Sequence, residues 1–146
     1  MKRYFYILVF MMFCIGSSAR EWISYGCTKR IAFSNGVKSS ESRENGTLKY
    51  AFEGNRLYQE SVIKGYMTVY GIYEGVSNGN LYYSVWNEGM NFTGQYVGPN
   101  KLDDQYFLVS PDKNTINLVL VDNIGRPSII YVYEKATTAP IDRIYK

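Results

Sequence analysis

Apolar and polar residues alternate along most of this chain, and no segment past the N-terminal stretch keeps the spacing of an amphipathic helix. From Gly46 to Glu53, Leu48, Tyr50 and Phe52 fall on one face and Lys49, Ala51 and Glu53 on the other. That two-residue period is the mark of a half-buried strand, and Gly54-Asn55 supplies a tight turn after it. Arg56 to Glu74 continues as a long β-type run. Ile63, Met67 and Val69 share one row with Gly65 and Gly71, and Val62, Tyr66, Thr68, Tyr70 and Ile72 form the other. Glycine inside a strand marks a bend, a bulge or the close approach of another backbone, so this run predicts either one strongly curved strand or two. Asn78-Gly79, between that run and Leu81 to Trp86, is the strongest hairpin signal in the chain.

Elsewhere the pattern is looser. Trp22 to Phe33 reads as a first strand ended by Ser34-Asn35-Gly36, and the polar residues 36–46 read as a mobile loop. Within residues 87–104, Phe92 and Tyr96 suggest a short strand, and Lys101 to Gln105 a single helical turn. A meander closes the domain: Tyr106 to Val109, a Pro111-Asp112 turn, Ile116 to Val121, a turn from Asn123 to Pro127, and Ile129 to Tyr133. Residues 136–146 read as a polar tail. About seven or eight short strands at this spacing predict a single all-β domain over residues 20–135, an antiparallel sandwich or barrel, with no internal repeat.

The N-terminus has a different character. Lys2 and Arg3 precede an uncharged apolar run, Tyr4 to Gly16, and Ser17-Ser18-Ala19 then places small residues where a signal peptidase cuts. The run is about thirteen residues long, whereas a membrane-spanning helix needs about twenty. Residues 1–19 therefore read as a secretory signal peptide. An uncleaved anchor is the alternative, because Ser17 to Ala19 can lengthen the span. The expected location is the periplasm of a Gram-negative bacterium or the medium, or the inner membrane if the anchor is kept. Met11-Met12-Phe13 before Cys14 lacks the small residues of a lipoprotein signal.

Composition narrows the chemistry. Cleavage leaves 127 residues, enough for one hydrophobic core. The formal charge of +3 includes Lys2 and Arg3, so the exported part carries only +1, with its charges scattered. A nucleic-acid partner is not expected, since such proteins show a basic patch or stripe. There is no histidine, which removes histidine general acid–base catalysis, the usual serine and cysteine triads and histidine metal ligands. No cofactor motif or metal-ligand spacing is present. Cys27 is the one cysteine left after cleavage, and it reads as a small buried residue of the first strand, with a free or intermolecular thiol as the alternative.

Carboxylates are the remaining catalytic candidates. Asp103-Asp104 is an adjacent acidic pair, and Glu74, Glu88 and Asp122 lie near turns, but glycoside hydrolysis needs two carboxyls across a sugar. A solvated turn pair is the plainer reading. Asn45-Gly46-Thr47 and Asn91-Phe92-Thr93 match the glycosylation acceptor pattern, which matters only in a eukaryotic host. Aromatic rows are more suggestive. Tyr66 and Tyr70 share one, Tyr82 and Trp86 another, Tyr131 and Tyr133 a third. Such rows build either an aromatic binding platform or the cross-strand pairs that hold a sheet together.

Cys27-Thr28, the segment NGTLKYAFEG (45–54), the glycine-containing IKGYMTVYGIYEG (63–75) and the tyrosine-rich NLYYSVW (80–86) together resemble the FidL-like small envelope proteins of enteric bacteria. The resemblance covers about residues 27–89. It implies an envelope protein and adds weight to the anchor alternative, in a family without an established activity, and it carries over no catalytic residue. The C-terminal half departs from that pattern in lacking a cysteine near its end.

These observations lead to an expectation of a non-enzymatic exported domain that binds another envelope or extracellular protein, as an accessory, inhibitor or immunity-type factor. Tyr66, Tyr70, Tyr82 and Trp86 are the candidate binding residues. The alternatives are a ligand-binding barrel for a small apolar molecule or a glycan, and a histidine-free carboxylate hydrolase.

Overall fold

The computed structural model describes residues 20–61 and 67–136. Nine strands follow one another: β1 (Ile23–Ser34), β2 (Val37–Arg43), β3 (Thr47–Glu53), β4 (Arg56–Gln59), β5 (Met67–Ser77), β6 (Asn80–Met90), β7 (Tyr96–Val109), β8 (Thr115–Val121) and β9 (Pro127–Lys135). Each pairs antiparallel with its neighbours, and β9 returns to β1 through Cys27↔Tyr133 and Ala32↔Ile129. The sheet is a closed barrel of eight strands with β2 as an additional strand. Between sandwich and barrel, the fold is the barrel. Closure leaves no edge where it is complete.

Turn chemistry agrees with the ladder. Asn35-Gly36 and Asn78-Gly79 have φ of 52° and 79°, and 49° and 82°. Those left-handed pairs are what a two-residue type I′ hairpin demands. The first hairpin corrects the expectation of a mobile loop at 36–46, because residues 37–43 are a strand paired with β1 from Lys29↔Arg43 to Ser34↔Val37. All seven β2 residues are exposed, so no apolar alternation marks them. β3 then continues along the same edge of β1, from Gly26↔Thr47 to Ile23↔Tyr50. Lys101 to Gln105 is a second correction: it forms part of β7 and makes no helical turn. There Val85 pairs with Leu102 and Ser84 with Tyr106, so Asp103, Asp104 and Gln105 form a bulge.

Core residues come from the inward face of every strand of the barrel. Tyr25, Tyr50, Leu57, Val85, Phe107, Val109 and Ile116 are completely buried, and Tyr83 nearly so. Their rings meet edge to face: Tyr25 with Tyr50 at 5.6 Å, Tyr50 with Phe107 at 6.1 Å, and Tyr50 with Tyr133 at 5.8 Å. Each such pair adds about 0.5–1.5 kcal/mol to simple burial. Gly71 completes the packing, since a Cβ there would lie 3.0 Å from Tyr83 Cβ and 3.1 Å from Phe107 Cδ2. The end carrying the 54–55, 78–79 and 110–114 turns is plugged. Tyr25 Oη donates to the Lys113 carbonyl at 2.6 Å, and the Lys113 ammonium sits 4.8 Å over the Phe52 ring.

Candidate functional site

Outside the barrel, register brings aromatic side chains from four consecutive strands into one belt. Tyr58 pairs with Tyr70, Tyr70 with Trp86, and Trp86 with Lys101, so these residues stand in a single transverse row on the outer face. Leu57, Gly71 and Val85, one step along each strand, point into the core instead. A parallel row runs Arg56, Ile72, Ser84, Tyr106 and Val119. Tyr82 lies beside it, with its ring 5.2 Å from that of Tyr106.

Polar groups fix the rings in place. The Trp86 indole N–H donates to Ser84 Oγ at 2.9 Å, and that hydroxyl donates to Glu74 Oε1 at 2.8 Å. Ser84 is 2% exposed, and both its lone pair and its proton are used, as a buried hydroxyl requires. The Arg56 guanidinium lies 5.0 Å over Tyr70, and Arg20 lies 3.7 Å over Tyr58 while pairing with Glu53 Oε2 at 2.9 Å. Glu88 accepts hydrogen bonds from the hydroxyls of Tyr96 and Tyr70, which hold its carboxyl below the usual range and raise the pKa of Tyr96.

Of the four residues picked from sequence, Tyr70, Tyr82 and Trp86 are on this belt and Tyr66 lies outside the described residues. Tyr70 is only 2% exposed, so it supports the belt and offers no open ring face. Tyr82 and Trp86 are half-buried, each with surface left for contact. Tyr58, Tyr106, Arg20 and Arg56 were not singled out in advance. Alternation placed Arg56, Tyr58 and Tyr106 on strands, but only the register shows that they share a face with Trp86, and Arg20, which precedes β1, reaches that face through the Tyr58 ring.

The other candidates are occupied locally. Cys27 is a free thiol, half-buried beside Tyr133, and burial together with Glu44 raises its pKa. A reactive cysteine needs the opposite shift. Burial also pushes Tyr133 up to about 12 and Tyr50 higher still. Asp122 holds the β8–β9 turn, accepting from the amides of Ile124 and Arg126 and from the Arg126 side chain. Asp112 does the same for the β7–β8 turn through Ser110 and Asn114. Glu74 is taken by Ser84 and Glu88 by the two tyrosines, while Asp103 and Asp104 are exposed. No group of three potential metal ligands occurs among the described residues. Among the same residues, no helix is long and apolar enough to cross a membrane.

An open groove of about 400 Å³ lies where β1 bulges at Thr28, between the Cys27↔Tyr133 and Lys29↔Val132 pairs, and it is lined by Thr28, Lys29, Glu41, Ser42, Arg43 and Glu134. Its charges balance, and Lys29 and Lys38 both approach Glu41, at 3.7 and 3.3 Å. Compared with family models, with curated proteins and with solved structures, the chain matches none.

Proposed function

We propose that this barrel is an exported, non-enzymatic binding domain whose partner is another protein of the bacterial envelope, engaged through the outer aromatic belt. Export rests on the signal-peptide pattern of residues 1–19. One observation carries the rest: at the plugged end the interior is filled by its own rings, while Tyr82, Trp86, Tyr58 and Tyr106 remain half-buried on the outside. Tyrosine and tryptophan held in this way bury large area at small entropic cost, and they are the residues that dominate protein interfaces. Arg20, Arg56 and Lys101 around the belt supply a polar rim that fits a partner carrying acidic groups.

Capture from envelope extract tests the reading. Wild-type protein should recover a stoichiometric partner, and the double variant Tyr82→Ala, Trp86→Ala should recover it at least about tenfold less, as expected for loss of a central aromatic anchor. Recovery of nothing above background, across several detergents and salts, contradicts the proposal.

A further inference from the structure

The groove at the Thr28 bulge lies on the side of the barrel away from the belt. In the ring β1-β3-β4-β5-β6-β7-β8-β9, β6 with Trp86 is four strands from β1 in either direction. The groove opens where β1 changes partners. Ile23 to Gly26 pair with β3 and Lys29 to Ser34 with β2, along the same edge. Between those ladders the Cys27 amide donates to the Gly46 carbonyl at 2.8 Å and the Glu44 amide to the Thr28 carbonyl at 3.3 Å. On the other edge, β9 skips Thr28. Gly26, the register partner of Glu134, has no side chain, and a Cβ there would meet only the Gly46 carbonyl, at 4.0 Å. At about 400 Å³ the space is the size of a small-molecule site, about 300–1,000 Å³.

Four charged groups line it: Lys29, Glu41, Arg43 and Glu134. Two of them compensate each other, because Lys29 lies 3.7 Å from Glu41, which Lys38 also approaches at 3.3 Å. Arg43 and Glu134 form no ion pair and no side-chain hydrogen bond among the described residues. They stand on the two strands that flank β1. Arg43 is level with Lys29 and Val132, and Glu134 is two residues further along β9. A strand spacing of about 4.8 Å and a rise of about 3.4 Å per residue put their backbones about 12 Å apart.

A cation and an anion that face one groove without meeting fit a ligand that carries both charges. The guanidinium fork matches a carboxylate, and the Glu134 carboxylate accepts from an ammonium. A ligand with one charge gains less, since the groove holds both signs. An extended dipeptide spans about 7 Å, and the two side chains cover the rest of the distance. We infer that this groove binds a small zwitterion of dipeptide size, with its carboxylate on Arg43 and its ammonium on Glu134. The site is separate from the outer belt and does not depend on the belt having a protein partner.

Amide chemical-shift titration of the purified protein with alanyl-alanine tests it. The dipeptide should move the signals of Thr28, Lys29, Ser42 and Arg43 at millimolar concentration. Acetylating its amino group or amidating its carboxylate should each weaken binding by about threefold or more, the scale of an exposed charge pair. Arg43→Gln should abolish the difference between the dipeptide and its amide. Glu134→Gln should abolish the difference between the dipeptide and its acetylated form. Asp104→Asn, which removes a charge from β7, should change neither. These substitutions are at exposed positions and should leave capture through the belt intact, which separates failure of this site from failure of the belt. The inference is overturned if alanyl-alanine moves none of these signals, if the blocked peptides bind wild-type protein as well, or if Asp104→Asn weakens binding as much as Glu134→Gln.

Discussion

The two ends of this barrel are made from the same strands by opposite rules. Toward the plugged end, Tyr25, Tyr50, Tyr83 and Phe107 leave less than a twentieth of their surface to solvent, and Gly71 makes room for two of these rings. At the other end, among the described residues, the β4–β5 ladder stops at Tyr70 and the β7–β8 ladder at Gln105, and bulges at Asp103–Gln105 and Ser39 interrupt the pairing. Closure by aromatic packing supplies stability at one end. The recognition proposed above falls to the outer face, because a site must keep surface that the fold itself does not consume.

The difference can be broken by substitution. Tyr50→Ala removes the ring that touches Tyr25, Phe107 and Tyr133, and it should cost about 3–5 kcal/mol in denaturant unfolding. Gly71→Ala drives a methyl group against Tyr83 and Phe107, and it should cost about 1–3 kcal/mol from overpacking, with little change in denaturant sensitivity per molar. Arg30→Gln, toward the other end, should fall within about 0.5 kcal/mol of wild type. Equal losses for Tyr50→Ala and Arg30→Gln would erase the distinction.

Alkaline pH sharpens it further. Tyr133 ionises near 12 in the folded protein and Tyr50 later still, against about 10 for a free phenol. The unfolded chain therefore loses these protons first as pH rises. Their contribution to stability is complete below pH 10 and is lost as pH climbs through 12. Chemical denaturation midpoints should be flat to about pH 10 and then fall, and Tyr133→Phe should make that fall shallower. At the acid end, Asp112 and Asp122 have lowered pKa values from hydrogen bonds in their turns. Their effect is present at neutral pH and fades as pH drops through the carboxylate range.

Which parts were readable in advance follows from what each strand buries. β3 alternates because Leu48, Tyr50 and Phe52 line the core while Lys49 and Glu53 meet water, and its faces were legible residue by residue. β2 buries neither face, so no period is written into VKSSESR. Only Asn35-Gly36 signals its hairpin. The Asp103–Gln105 bulge is polar because it is exposed, and a short polar run looks the same in a helical turn. The aromatic belt needed register as well as alternation. Tyr70 and Trp86 are sixteen residues apart in sequence, and bulges such as that between Tyr73 and Gly75 shift the pairing by amounts a sequence does not show. For the same reason Tyr58 and Tyr106 became visible as neighbours of Trp86 and Tyr82 only in three dimensions.

Residue-resolved amide hydrogen exchange tests the division of the barrel most directly. Residues 81–85 of β6 and 106–109 of β7 should exchange only through global unfolding. Residues 87–90 and 96–101 of the same two strands should exchange through local opening, at least about tenfold faster. Uniform protection along both strands would contradict a barrel that is plugged at one end and less fully paired at the other.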